Sequence, residues 1–92
     1  MVRSFRHKGL KRLYEEDDPR GVLTEHADKL RNILARLDAA HSPEDMALPG
    51  LRLHLLKGNL QGFWAVTVRN NWRVIFRWSD GDATEVDYLD YH

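Results

Sequence analysis

The sequence predicts a small α+β domain: two N-terminal helices packed on one face of a short antiparallel β-sheet. Three observations carry this expectation. Apolar residues recur at helical spacing through residues 7–16 and 24–40, then at strand spacing from Leu51 onward. Asn70-Asn71 and Asp80-Gly81 each separate alternating apolar runs, where two-residue turns join antiparallel neighbours. The chain has 92 residues, enough for one modest core and no second one, so residues 1–92 read as a single domain.

Taken in order, residues 1–5 read as a short first strand. Leu10, Leu13 and Tyr14 make the apolar stripe of a helix over 7–16, which Gly9 weakens near its start. Asp18-Pro19-Arg20-Gly21 breaks it. The second helix has Thr24 as its expected N-cap, and Glu25 and Asp28 in the first turn where the helix dipole favours acids. Its stripe is Ala27, Leu30, Ile33, Leu34 and Leu37. Ser42-Pro43-Glu44-Asp45 reads as one further helical turn, and Leu48-Pro49-Gly50 as a loop. Residues 51–55, 63–69, 72–78 and 84–91 then read as strands. In the third of these, Trp72, Val74, Phe76 and Trp78 face one side and Arg73, Ile75 and Arg77 the other. The helices must cover one face of the sheet, which leaves a concave polar face to carry Arg73 and Arg77.

Composition narrows the function classes. No apolar run approaches the roughly 20 residues that cross a bilayer. The opening MVRSFRHKGLKRL is basic but lacks the apolar stretch of a secretory signal. The chain has no cysteine, which excludes a disulfide framework and cysteine-ligated zinc and fits a reducing cytoplasm. Formal net charge is zero, yet the charge is segregated. Residues 51–79 hold five cations (Arg52, Lys57, Arg69, Arg73, Arg77) and no acid, whereas residues 80–92 hold five acids and no Lys or Arg. Residues 1–14 are likewise basic only. Such a chain can present a polyanion-binding face, or its basic and acidic strands can simply pair.

Four groups of residues carry potential chemistry. The ending DYLDYH crowds acids, tyrosines and a histidine into residues 87–92. Strand alternation puts Asp90 and His92 on one face, expected to be that of His54 and Arg73, and Tyr91 on the other. The bland alternative is a frayed tail. His54, between Leu53 and Leu55, faces away from them, onto the open side if the leucines are core. Lys57, Arg73 and Arg77 can meet phosphates, although Arg77 is the more suited to pairing with Glu85 or Asp87. Phe63, Trp64, Trp72, Phe76 and Trp78 are mostly core, with base stacking the alternative use. Histidines, a carboxylate and an arginine on one face suit RNA cleavage without a metal or other cofactor. The 2′-OH must lose a proton, the 5′ oxygen must gain one, and a guanidinium answers the charge on phosphorus. His54, Asp90 and His92 also make a two-histidine, one-carboxylate set that a metal can use, though without characteristic ligand spacing.

The stretches SFRHKGLKRLYE, LPGLRLHLLKG, FWAVTVRNNWRVIFRW and VDYLDYH together resemble the HigB toxins, of the RelE type, over nearly the whole chain. The resemblance implies the RelE-like fold and a ribosome-dependent endoribonuclease that cuts mRNA in the decoding site. It implies as partners a HigA-like helix-turn-helix antitoxin, the bacterial ribosome with its rRNA, and mRNA. Operator DNA would be met only through the antitoxin complex, in the bacterial cytoplasm. By motif, His54, Asp90, Tyr91 and His92 correspond to catalytic positions, and Arg73 and Lys57 to phosphate-binding ones. Leu55 stands where many members have proline and Leu89 where many have an acid. Two rival readings keep the fold: a ParE-like gyrase poison, and a non-catalytic partner-binding module. Neither needs the terminal DYH together with His54.

Overall fold

The structure, a computed structural model, describes residues 1–91. Helix α1, Lys8–Glu16, starts where the His7 Nδ1 accepts the Leu10 N–H at 3.0 Å, so a histidine acts as N-cap. It stops at Asp17, whose left-handed backbone turns its N–H onto the last carbonyls. Gly9 has a purpose that a helix-propensity reading misses. The 3₁₀ turn Pro19–Gly21 crosses α1 so closely that a Cβ on Gly9 would run into the Gly21 backbone.

Helix α2, Ala27–Ala39, buries Ala27, Leu30, Ile33, Leu34 and Leu37, the expected stripe. Its start departs from expectation. Thr24 is not an N-cap; it opens a 3₁₀ turn, Thr24–His26, and no side chain caps that turn or α2. The tighter turn carries His26 into the interior, where its Nδ1 lies 2.6 Å from the Tyr88 hydroxyl. The turn expected at Ser42-Pro43 is a 3₁₀ turn, Pro43–Met46, which drops Met46 into the core.

Four strands follow: β1 His54–Leu55, β2 Trp64–Arg69, β3 Trp72–Ser79 and β4 Asp82–Asp90. They form one antiparallel sheet in sequence order. Strand β1 is far shorter than the expected 51–55. Arg52 takes φ +51°, which breaks the alternation; Leu51 turns inward and its carbonyl accepts the Thr67 N–H at 2.7 Å. Asp80 and Gly81 both take positive φ, +52° and +82°, the mirror-image turn suited to a hairpin. That turn pairs Ser79 with Asp82, so β4 begins ahead of the expected residue 84. The expected first strand is reduced to two parallel bridges, Val2 to Ala83 and Phe5 to Val86, which cover the outer edge of β4.

The main core lies between the helices and one sheet face. Leu10, Leu30, Ile33 and Leu37 meet Val66, Val74, Phe76, Val86 and Tyr88 there. The other face is not wholly polar as expected. It carries its own small apolar cluster of Leu56, Phe63, Ala65 and Ile75, with Leu60 and Leu89 packed against it.

One carboxylate ties the N-terminal segment to both helices. Asp38 Oδ1 accepts the Val2 N–H at 2.9 Å and the Tyr14 hydroxyl at 2.6 Å. These bonds hold the Asp38 carboxyl below the usual carboxylate range. The Tyr14 hydroxyl is pushed up to about 12, first by donating to Asp38 and then by burial. An unfolded tyrosine ionises near 10. Stability should therefore fall as pH rises from about 10 toward 12, because the unfolded chain loses that proton first. On the acid side it should fall once pH drops below the ordinary aspartate value of about 3.9, through the lower folded value of Asp38. Tyr14→Phe should lose about 1–2 kcal/mol at neutral pH and flatten the alkaline decline, as urea unfolding across pH would register.

Candidate active site on the open sheet face

Strand register builds the site. His54, Ala65, Ile75 and Asp87 form one row across all four strands. Two residues along, Thr67, Arg73 and Leu89 form the next row of the same face. Arg77 and Thr84 make a third row, with Phe63 under Arg77. The middle of the face is the apolar cluster already described. Polar and basic groups stand around it: His54 and Lys57 toward the β1 edge, Arg73 and Arg77 on β3. Hollows of the molecular surface lie along the helices α1 and α2. The site is thus an open face, suited to a strand-shaped ligand presented from outside.

His54 is exposed, and its Nδ1–H donates to the Arg52 carbonyl at 2.9 Å. A carbonyl can only accept, so the proton sits on Nδ1. The neutral ring then offers its lone pair at Nε2. Of the flanking leucines, Leu53 packs on the main core but Leu55 is 52% exposed, so the condition that both are core is met by Leu53 alone. Lys57 is exposed at the entry to the 3₁₀ turn Gly58–Leu60.

Arg73 is partly committed. Its Nη1 donates to the Asn70 carbonyl at 2.6 Å and the Trp72 carbonyl at 3.1 Å, bracing the β2–β3 turn. Its buried Nε and the buried Thr67 Oγ1, on paired positions, have no hydrogen-bond partner among the described residues. His54 and Arg73 are separated by two strand spacings, about 10 Å laterally, so both side chains can reach one group between them.

The terminal motif is placed differently from expectation. Asp90 pairs with Trp72, and Arg73 with Leu89. Asp90 therefore shares the helix-facing side with Trp72 and not the open face of His54 and Arg73. Asp87 occupies the position in the His54 row. The cause is an extra residue in β4: Glu85, at φ +50°, lies where the register between Ile75 and Arg77 shifts. Behind Asp90, Trp72 packs on Tyr88 at 4.7 Å and on His26 at 5.6 Å. Burial pushes the Tyr88 hydroxyl up. Tyr91 follows the strand; its N–H donates to the Asn71 carbonyl at 2.8 Å and the residue is exposed. His92 lies outside the described residues. His54 and Asp90 stand on opposite edge strands and opposite faces, about 14 Å apart laterally, so they cannot share one metal ion. Among the described residues no three His, Asp or Glu side chains converge as metal ligands.

Sequence reasoning missed three members of this face. Asp87 was taken for an arginine partner, yet its Oδ1 accepts the Tyr88 N–H at 2.9 Å. Thr67 carries no signal in the pattern. Arg6 comes from the N-terminal segment to within 5.5 Å of the Phe63 ring centre.

Two helices on one side of a four-stranded antiparallel sheet, with cations around the other, define a small α+β domain of the RelE-like kind. The chain belongs to the family of RelE-like toxins of the HigB type II toxin–antitoxin system, whose sequence model matches residues 3–92. It is 40% identical over 92 residues to the endoribonuclease HigB of Proteus vulgaris, covering 100% of both chains. It is 36% identical over 97 residues to toxin HigB-1 of Vibrio cholerae, covering 100% of this chain and 98% of that one.

Proposed function

We propose that this toxin is a ribosome-dependent endoribonuclease that cuts mRNA in the decoding site by metal-independent acid–base chemistry, and so halts translation. One observation carries the reading: His54, with Nε2 left open by its Nδ1 bond, and Arg73 stand on the same sheet face, in neighbouring rows. The name of the Proteus relative, an endoribonuclease, agrees with it.

In this mechanism a base takes the 2′-OH proton, the oxygen attacks the adjacent phosphorus, and an acid protonates the departing 5′ oxygen. The products are a 2′,3′-cyclic phosphate and a 5′-OH. The His54 tautomer suits the base, with His92 as proton donor; Asp90 orients the terminal histidine. Arg73 meets the scissile phosphate with the part of its guanidinium that Asn70 and Trp72 leave uncommitted, and Lys57 adds charge from the β1 side. Tyr91 positions the substrate. Few catalytic groups suffice if the ribosome holds the mRNA in line, which removes part of the entropic barrier. The remaining basic residues of the segments Arg3 to Arg12 and Arg52 to Arg77 contact rRNA. A HigA-like antitoxin is the cognate partner, in the bacterial cytoplasm. No helix of the described residues is long and apolar enough to cross a membrane.

The test maps the 5′ ends of mRNA cut on programmed ribosomes. His92→Ala should lower the cleavage rate roughly 10²–10⁴-fold, the contribution of a positioned proton donor. A folded His92→Ala protein that cleaves at the native rate would refute proton transfer by His92.

A further inference from the structure

We propose that Arg77, laid on Phe63 and accompanied by Arg6, forms a second phosphate subsite on the open face. It would take a backbone phosphate of the RNA strand flanking the scissile one. The inference rests on the endoribonuclease reading above.

Arg77 was expected to be able to meet a phosphate but to be better suited than Arg73 to pairing with an acid, and that pairing is present: its Nε lies 3.4 Å from Glu85 Oε2. The rest of its setting does not fit a simple ion pair. The guanidinium carbon sits 4.4 Å from the centre of the Phe63 ring. The Arg6 guanidinium carbon lies 5.5 Å from that same ring centre. Two like charges thus gather on one buried aromatic, with a single half-exposed carboxylate to offset them. The ring's electron-rich face eases this crowding but adds no negative charge.

The acidic strand does not neutralise the pair. Asp82 is engaged by Arg3 and by the N-terminal amine. Asp87 bonds along its own strand. Among the described residues no carboxylate pairs with Arg6. The group of Arg6, Arg77 and Glu85 therefore keeps a net charge of +1 by formal count (two cations, one anion).

The geometry is also prepared for an anion. Gly62 lets Arg77 lie close: a Cβ there would be 2.6 Å from Nη1. A guanidinium stacked on a ring and resting beside a glycine loses little freedom when a phosphate arrives. Arg73 and Arg77 lie four residues apart on one side of β3, about 13 Å by strand rise. That is too far for one phosphate and suited to two phosphates of one strand. The buried cluster of Leu56, Ala65 and Ile75 lies between the two arginines and supports the sheet face from which both project.

The experiment places mRNAs with a single uncharged methylphosphonate, at each position flanking the cleaved bond in turn, on programmed ribosomes. Native protein, Arg77→Gln and Arg77→Lys are compared, with thermal melting of each. One flanking methylphosphonate should slow the native protein about two- to five-fold, the effect of one lost charge-assisted contact at an exposed site. The same change should leave Arg77→Gln, already slowed on the unmodified mRNA, nearly unaffected. Arg77→Lys should recover part of the rate, which a purely structural stacking role would not allow. Equal methylphosphonate penalties in native protein and Arg77→Gln would overturn the subsite alone. Absence of native cleavage on unmodified mRNA would overturn the endoribonuclease reading and the subsite with it.

Discussion

Replacing His54 with alanine is expected to lower the single-turnover rate of mRNA cleavage roughly 10²–10⁴-fold while leaving the fold intact. The two halves of this expectation have separate grounds. The rate should fall because the Nδ1–H bond to the Arg52 carbonyl presents Nε2 as an acceptor on the face that also carries Arg73. The fold should survive because His54 is exposed and that carbonyl can turn to water. His54→Gln is the sharper variant. It keeps a polar side chain that can still donate to Arg52 but offers no basic nitrogen. If His54→Gln cleaves within a few-fold of the native rate, His54 is not the base, and the open face must act through other groups.

Gly9→Ala is expected to be the most damaging single methyl addition, costing about 3 kcal/mol and lowering the melting temperature of so small a domain by roughly 15 °C. Alanine normally strengthens a helix relative to glycine by about 1 kcal/mol, so propensity alone predicts the opposite sign. The contact decides the outcome. The added Cβ meets the backbone of Gly21, and neither partner is a flexible side-chain end. Helix α1 or the Pro19–Gly21 turn must then shift, which disturbs Leu10 and Leu13 in the core. Denaturant unfolding of Gly9→Ala and Gly21→Ala should show both to be destabilised, and the double variant by less than the sum. A stabilised Gly9→Ala would mean that the close approach relaxes without cost.

Much of the architecture was legible because it depends on period. The stripe of α2 repeats at helical spacing, and all five of its expected members are buried. In β3, Trp72, Val74, Phe76 and Trp78 contact the main core while Ile75 belongs to the cluster on the opposite face, as alternation requires. The elements that were misread turn on an uncommon backbone or on a contact with a distant segment. Arg52 at φ +51° cut β1 down to two residues. Thr24 looked like a cap, but the burial of His26 under Tyr88 drew that segment into a 3₁₀ turn. The positive φ of Arg52 is not favoured by a non-glycine residue, and the burial of His26 depends on a residue 62 positions away, so no local pattern announces either.

The candidate site divides the same way. Residue types with the chemistry for RNA cleavage were readable from His54, Arg73, Lys57 and the DYH ending, and so was the family that shares them. Their arrangement was not. Simple alternation carried from β3 into β4 assumes one residue opposite one residue. The bulge at Glu85 places two against one and sets which β4 positions share a face with Arg73. That single inserted residue places Asp87 in the row of His54 and Asp90 opposite Trp72.

By itself, then, the amino-acid sequence determined the α+β class, the antiparallel order, the core faces and the chemical inventory, because these follow from hydrophobic period and residue type. Only the tertiary structure decided the registers, the contact of Gly9 with Gly21, the tautomer of His54 and the meeting of Arg6 and Arg77 on Phe63. These depend on where distant segments touch, and a distance in space leaves no mark in the local spacing of residues.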